Sequence, residues 1–167
     1  MSVEIIKNIL PKETNKEILN YLCNETSWKL AHEYKTPYEI IFLNNLHLGY
    51  SHCSQGLCDQ QILNIPANII TNTVLEKMNL KGKIFRFMWN MYNQNQSSYI
   101  HKDHHLDTYV SILYNLHTTD GGTEIDGKFY PDQESEAKVF KSNIDHKGIG
   151  PKKNNIRFNL NIVVELI

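Results

Sequence analysis

Four residues in the second half of the chain carry its strongest chemical pattern: His101, Asp103, His146 and Arg157. His101 and Asp103 are two positions apart, so on an extended strand both side chains leave the same face and can hold one ion. His146 supplies a second imidazole from a segment that also has the pattern of a strand. Two imidazoles and one carboxylate leave three adjacent octahedral positions open, as is typical of non-haem Fe(II) and oxygen chemistry. Structural zinc would more often use cysteine and close its shell.

Arg157 follows His146 by eleven positions, in a segment where polar and apolar residues alternate. The polar positions are Arg157, Asn159 and Asn161. Alternation with period two predicts a half-buried strand, which would carry Arg157 into a cavity. There a guanidinium can hold a carboxylate by two parallel hydrogen bonds, so a diacid could chelate the metal at one end and pair with Arg157 at the other. Lys152 and Lys153 are competing cations, but their Gly- and Pro-containing surroundings predict a solvated turn.

Weaker histidine and cysteine patterns also occur. His52, Cys53 and Cys58 could suggest zinc, but one cysteine pair without further partners is a poor site, and we expect an irregular loop there. His104 and His105 are predicted at the cavity rim, where they could meet a substrate.

Composition sets the outer limits. With 167 residues, of which 41% are hydrophobic and 21% charged, the chain is expected to form one domain with a substantial core. A net charge of -1 gives no basic footprint, so a nucleic-acid partner is not expected. Three cysteines at unhelpful spacing, with no leader segment or long apolar span, predict a reducing cytoplasmic location and no membrane insertion. The oligomeric state stays open.

Element patterns predict a helical layer followed by a strand-rich core. Helices are predicted over residues 11–24 and 66–82. Strands are predicted over residues 38–43, 84–91, 109–116, 138–144 and 156–165, with a hairpin around Asp126-Gly127, and residues 44–65 receive no assignment. The predicted fold is α+β and mainly β: a double-stranded β-helix, the jelly-roll variant shared with cupins, buttressed by N-terminal helices. We expect a single domain over residues 1–167, with helical support to about residue 82 and the metal-binding β core from about residue 83.

The order of these motifs resembles a known family. His-x-Asp, a distant His, and a basic residue about ten positions later are similar to the 2-oxoglutarate- and Fe(II)-dependent dioxygenases. The surroundings, including Gly121-Gly122-Thr123, most resemble the prolyl 4-hydroxylase branch, and the similarity runs from about residue 83 to the C-terminus. The resemblance implies that Tyr114 donates to the distal carboxylate of 2-oxoglutarate beside Arg157. It also implies that Tyr92 and Tyr99 contribute to binding this co-substrate.

The activity that the resemblance implies is hydroxylation of a C–H bond by Fe(II), 2-oxoglutarate and O2, with release of succinate and CO2. Ascorbate is a further candidate cofactor. A prolyl residue in a peptide or protein is the first candidate substrate, and the position and stereochemistry of hydroxylation stay open. The alternatives are a dioxygenase acting on a small metabolite or nucleobase, a cupin-like metal-dependent isomerase or binding module, and a zinc hydrolase.

Overall fold

The computed structural model describes residues 1–26, 29–30, 48–54, 61–154 and 156–167. Its helices are α1, Lys12–Asn24, and α2, Asn64–Lys77, which follows a 3-10 turn at Gln61–Leu63. Its strands are β1 Glu4–Ile6, β2 Lys29–Leu30, β3 Leu48–Ser54, β4 Gly82–Asn93, β5 Tyr109–Asn115, β6 Gly122–Ile125, β7 Lys128–Pro131, β8 Glu136–Lys141, β9 His146–Ile149 and β10 Ile156–Leu166. The predicted strand over residues 38–43 and Cys58 lie outside the described residues. The irregular loop expected around His52 and Cys53 is wrong, because both residues lie in β3.

The strands form two antiparallel sheets. The larger has the order β1-β8-β5-β10-β4-β3-β2, and the smaller has the order β7-β6-β9. The strand predictions from residue 84 onward are confirmed to within a few residues at each end. Strands β1, β2 and β3 come from the N-terminal half yet belong to the larger sheet, so that half supplies more than helical support.

The helices pack on one face of the larger sheet. One apolar cluster joins the helices to the sheet. It contains the fully buried Leu22 of α1, Ile70 and Val74 of α2, and Phe158 and Leu160 of β10. Burial of these side chains fixes β10 with its apolar positions toward the helices, which sends the alternate positions to the other face. The predicted alternation along this strand is present, but both of its faces are buried, so the prediction of a half-buried strand is wrong.

The ends of α2 differ from the prediction. The helix begins at Asn64 rather than at Pro66, and it ends at Lys77 rather than near Gly82. Asn79, with φ of 52°, provides the left-handed turn that ends it. Gly82 instead begins β4, where a side chain would collide with β10 at Val164.

The hairpin prediction is confirmed at β6 and β7. Asp126 and Gly127 connect the two strands with φ of 49° and 73°, both left-handed, as a two-residue turn of the primed type requires. This turn joins β6 to β7, which is one edge strand of the smaller sheet. The other edge strand, β9, begins at His146. Within the described residues no helix is long and apolar enough to cross a membrane.

Candidate metal centre

The two sheets bring His101, Asp103 and His146 together. His101 and Asp103 lie in the loop between β4 and β5 rather than on the extended strand that their spacing predicted. His101 pairs with His146 at the start of β9 through two backbone hydrogen bonds of 2.9 and 3.0 Å. His146 Nε2 lies 3.3 Å from Asp103 Oδ2, and His101 Nε2 lies 4.0 Å from Asp103 Oδ1. One ligand atom from each residue lies within 4.8 Å of the other two. The convergence that the sequence predicted is thus present in the fold.

Backbone carbonyls orient both imidazoles. His101 Nδ1 is 2.9 Å from the carbonyl oxygen of Tyr99, and His146 Nδ1 is 3.0 Å from that of Ile144. A carbonyl oxygen can only accept, so each ring carries its proton on Nδ1 when neutral. Each Nε2 then keeps its lone pair for a metal, which is the usual arrangement of metal-binding histidines.

Asp103 is held by donors from three strands of the larger sheet. Its Oδ1 accepts from Arg86 Nη2 of β4 at 2.6 Å and from Asn161 Nδ2 of β10 at 3.0 Å, while its Oδ2 accepts from Ser111 Oγ of β5 at 2.6 Å. Burial by itself would raise the pKa of the carboxyl. The adjacent imidazole of His146, followed by the positive charges of Arg86 and His101, holds the pKa of Asp103 well below its usual range. Asp103 is therefore an ionised carboxylate held in a fixed orientation.

The donor set fits a divalent metal. His146 Nε2 is buried and makes no hydrogen bond, although polar atoms in protein interiors are nearly always paired. Burial by itself would lower the pKa of His146, but the Asp103 carboxylate beside it raises the pKa above its usual value. Two imidazoles and one carboxylate suit Fe(II) in a centre that keeps coordination positions open.

A cavity of about 330 Å³ adjoins the three residues, within the range typical of small-molecule sites. Its wall contains side chains from both sheets and from the loop that carries His101 and Asp103. The other residues that line it are Arg86, Met88, Asn90, Tyr92, Lys102, Leu113, Thr123, Gly148, Asn159 and Asn161. Most of these residues are of polar type, and two of them carry a cationic side chain.

Arg157 is completely buried behind this wall. Its guanidinium carbon lies 4.9 Å from the centre of the Tyr92 ring, and Nη2 donates to Thr123 Oγ1 at 3.0 Å. Nε and Nη2 form a fork on the Asp132 carboxylate, in which the Nη2–Oδ1 distance is 3.2 Å. The predicted strand and the inward direction of Arg157 are present, but its guanidinium already has a carboxylate partner that the sequence did not indicate.

The three tyrosines have different positions. Tyr92 lines the cavity beside Arg157, whereas Tyr99 is 39% exposed and contributes its carbonyl oxygen to the orientation of His101. Tyr114 is fully buried on the opposite face of β5, where its hydroxyl donates to Asn15 Oδ1 of α1 at 2.5 Å. It pairs with Leu160, whose side chain also faces the helices, so the fold does not bring Tyr114 to the metal centre.

Of the other predicted basic and histidine positions, two lysines lie in an exposed turn and one histidine packs against protein. Lys152 and Lys153 are exposed in a turn whose backbone N–H groups donate to Asp120 Oδ2. The His104 ring stacks on Tyr109 with a centroid distance of 3.6 Å, so it packs against protein.

Sequence reasoning missed Arg86, Ser111 and Asn161 as partners of Asp103. The pattern of the strands could have indicated them, because each lies in a predicted strand: Arg86 and Asn161 line the cavity, and Ser111 shares a face of β5 with the cavity-lining Leu113. Connecting these residues to Asp103 also requires knowledge of which strands are neighbours in the sheet. That order comes from the pairing of β10 with both β4 and β5.

Comparison with known proteins finds similarity in structure only. No family model matches the chain, and no curated protein matches its sequence. A prolyl-4-hydroxylase from Pseudomonas putida superposes with a TM-score of 0.65 at 13% identity, over 98% of this chain and 91% of the other. The viral collagen prolyl hydroxylase of Paramecium Bursaria Chlorella virus-1, solved with 2-oxoglutarate, gives 0.64 at 14% identity over 99% and 97%. The α-ketoglutarate-dependent epimerase SnoN of nogalamycin biosynthesis gives 0.69 at 8% identity over 97% and 76%.

The chain has the fold of the 2-oxoglutarate- and iron-dependent oxygenases. The similarity covers nearly the whole chain, including β1 to β3 and both helices, which extends the resemblance beyond the C-terminal half. Because this fold serves a hydroxylase and an epimerase alike, the choice of reaction and substrate must be argued from the site.

Proposed function

We propose that this protein is a non-haem Fe(II)- and 2-oxoglutarate-dependent dioxygenase that hydroxylates a C–H bond. The observation that carries the proposal is the convergence of His101, Asp103 and His146 beside a cavity, with His146 Nε2 buried and without a hydrogen-bond partner. Fe(II), 2-oxoglutarate and O2 would supply the oxidation, in which one oxygen atom enters the substrate and the other enters succinate as CO2 leaves.

The chain's own residues supply orientation. The carbonyl groups of Tyr99 and Ile144 keep both Nε2 atoms toward the metal position, while the donors around Asp103 keep its carboxylate from rotating. Such fixed ligand directions lower the reorganisation that binding and reaction require.

The end of the cavity at Tyr92, Thr123 and Asn159 is the proposed place of the distal carboxylate of 2-oxoglutarate. Arg157 lies directly behind these residues and can only donate hydrogen bonds. Since Thr123 Oγ1 already accepts from Arg157, its own hydroxyl proton is available for an acceptor in the cavity. A carboxylate is the acceptor that best matches this donor and the positive charge behind it.

For the substrate we propose a prolyl residue in a peptide or protein. Support comes from the motif resemblance to prolyl 4-hydroxylases and from the structural similarity to two prolyl hydroxylases. A small metabolite is the second candidate, favoured by the cationic Arg86 and Lys102 on the cavity wall and by the likeness to SnoN, an epimerase. A cytoplasmic location and the use of ascorbate remain predictions.

The class of reaction can be tested by anaerobic titration. Fe(II) followed by 2-oxoglutarate should give the visible charge-transfer band of the chelate, and O2 should then yield succinate. His146→Ala should abolish both, because one of three metal ligands is lost. Arg157→Ala should raise the 2-oxoglutarate concentration required for turnover at least tenfold. The matched exposed variant Lys152→Ala should leave that concentration unchanged. If zinc supports another activity while Fe(II) gives neither band nor succinate, the oxygenase proposal is wrong.

The substrate can be tested by mass spectrometry after turnover with proline-containing peptides and with anionic metabolites, each with and without ascorbate. A gain of one oxygen atom on proline supports the first candidate. Oxidation confined to the metabolites supports the second and excludes a prolyl substrate.

A further inference from the structure

A cluster of three charged side chains lies in the interior beyond the end of the cavity. Arg157 of β10 and Asp132, which follows β7, are completely buried, and Lys138 of β8 is 1% exposed. Charged side chains are rarely buried to this extent unless they are paired, because removing an ion from water costs several kcal/mol.

Asp132 lies between the two cations. Arg157 forms its fork on both carboxylate oxygens, and Lys138 Nζ donates to Oδ1 at 3.2 Å. With its amide oriented to satisfy both neighbours, Asn115 donates to Asp132 Oδ1 at 2.9 Å and accepts from Lys138 Nζ at 2.7 Å. The lysine is therefore fixed in place by a carboxylate and an amide.

The charges of this cluster do not cancel. One carboxylate faces two cations, so the cluster carries a surplus of one positive charge when Lys138 is protonated. Burial lowers the pKa of Lys138, the Asp132 carboxylate opposes that effect, and the charge of Arg157 adds to it. The carboxylate of Glu136 also acts on Lys138, but it forms a 3.2 Å ion pair with Lys7. Without Lys138, Arg157 and Asp132 would form a neutral pair.

The surplus charge acts on one end of the cavity. Tyr92, Thr123 and Asn159 line that end, and each contacts the Arg157 guanidinium. With its amide oriented to suit its neighbours, Asn159 accepts from Arg157 Nη2 at 2.8 Å. A ligand at this end meets hydrogen-bonding groups with a net positive charge directly behind them.

We propose that Lys138 sets the affinity for the co-substrate without touching it. By balancing Asp132, Lys138 leaves the charge of Arg157 uncompensated, and that charge then attracts the distal carboxylate of a keto diacid. This inference rests on the proposed function. Lys138 is accordingly a positioning and charge-balancing residue that acts through Asp132 and Arg157.

The test compares two keto acids that share the chelating end. Dissociation constants for 2-oxoglutarate and for 2-oxobutyrate, which lacks the distal carboxylate, are measured anaerobically from the charge-transfer band of the Fe(II) protein. Lys138→Met should weaken 2-oxoglutarate binding at least about tenfold, as expected for one unit charge lost in a poorly screened interior. Binding of 2-oxobutyrate should stay within about twofold, since its chelating end does not meet the cluster.

The double variant Lys138→Met with Asp132→Asn supplies the decisive control. It removes one charge of each sign, restores the surplus on Arg157, and should regain most of the 2-oxoglutarate affinity. A structural role for Lys138 would instead make the double variant worse than the single one. Lys138→Gln, which keeps a donor for Asp132, serves the same comparison if Lys138→Met does not fold.

The outcomes separate the two proposals. If the native protein binds 2-oxoglutarate and Lys138→Met binds it equally well, the role of Lys138 is wrong while the dioxygenase stands. Equal weakening of both keto acids, or no recovery in the double variant, also overturns that role. If the native protein with Fe(II) binds neither keto acid, the dioxygenase proposal fails and this inference fails with it.

Discussion

Arg86 places a positive charge directly on the carboxylate that is the proposed metal ligand. Its Nη2 lies 2.6 Å from Asp103 Oδ1, and the two side chains are 18% and 1% exposed. The guanidinium both fixes the carboxylate and cancels its charge, and these two effects have opposite consequences for a metal ion. Ser111 and Asn161 also donate to Asp103, so orientation is held even without Arg86.

We therefore expect Arg86→Met to bind divalent metal more tightly than the native protein, by about tenfold or more. Repulsion between a unit positive charge and a nearby cation amounts to several kcal/mol in a partly buried setting, which exceeds the value of one hydrogen bond. Competition with a fluorescent chelator for Mn(II) measures the change, and Arg86→Lys, which keeps the charge, should stay near the native value. Weaker metal binding in Arg86→Met would show that Arg86 chiefly orients Asp103.

Gly148 is the residue of β9 that leaves room for Tyr92. A methyl group at this position would collide with the Tyr92 hydroxyl and ring, which are confined by the contact with Arg157. Gly148→Ala should therefore displace Tyr92 and raise the KM for 2-oxoglutarate several-fold, while metal affinity changes little. Steady-state kinetics with a parallel metal titration test this prediction. Gly127→Ala is the control for a general loss of stability, because a side chain at Gly127 meets open space but its φ of 73° strains any residue other than glycine. An unchanged KM would mean that Tyr92 has no part in binding the co-substrate.

Among the elements, β5 links the site to the helical layer through its two faces. Ser111 faces Asp103, whereas Tyr114 faces α1 and donates to Asn15 Oδ1. Tyr114→Phe leaves a buried acceptor on Asn15 without its donor, so we expect a loss of about 1–3 kcal/mol in the free energy of unfolding. The KM for 2-oxoglutarate should not change. Urea denaturation and kinetics measure the two quantities, and a changed KM with unchanged stability would favour the role that the motif resemblance assigned to Tyr114.

The same tyrosine predicts a dependence on alkaline pH. Burial raises the pKa of Tyr114 to about 12, above its ordinary value of 10.0, although hydrogen bonds to Ser135 and Asn15 act in the other direction. A group whose pKa is raised on folding contributes its full stabilisation below the unfolded value, here about pH 10, and loses it as the pH rises through the folded value. The native protein should lose stability between about pH 10 and 12 more steeply than Tyr114→Phe. Parallel slopes in urea titrations over this window would contradict the prediction.

At the scale of the whole molecule, the candidate metal centre joins parts that are distant in the chain. Asp103 is tied to three strands of the larger sheet, and His146 begins an edge strand of the smaller sheet. A metal bound to both would bind the folded state alone and stabilise it by mass action. At a metal concentration one hundred times Kd, the free energy of unfolding rises by about 2.7 kcal/mol. For a chain of this size that corresponds to a rise in Tm of roughly 5–10 °C.

Thermal denaturation with Ni(II), which resists oxidation in air, measures this effect without any turnover. His146→Ala should melt at the same temperature with and without the metal, and Lys152→Ala should keep the native shift. An equal rise in Tm for His146→Ala would place the bound metal elsewhere.

The sequence by itself indicated the three candidate metal ligands and which residues of β10 share a face. The alternation around Arg157 depends on local backbone geometry, which fixes side-chain direction once a segment is extended. The two-residue spacing of His101 and Asp103 indicated the candidate pair, although in the fold both residues lie in a loop. The Asp126-Gly127 turn was predictable for the same reason, because two left-handed residues define the hairpin. Local chemistry therefore indicated the class of reaction to propose.

Only the tertiary structure decided which side chains meet. The face of β5 toward the helices was set by packing, which directed Tyr114 to Asn15 and left Leu113 toward the cavity. The order of strands in the larger sheet brought Arg86, Ser111 and Asn161 to one carboxylate, and the chain after β7 supplied Asp132 to Arg157. These contacts join residues far apart in the chain, so they depend on sheet order and on the burial of charge, neither of which has a local signature in the sequence.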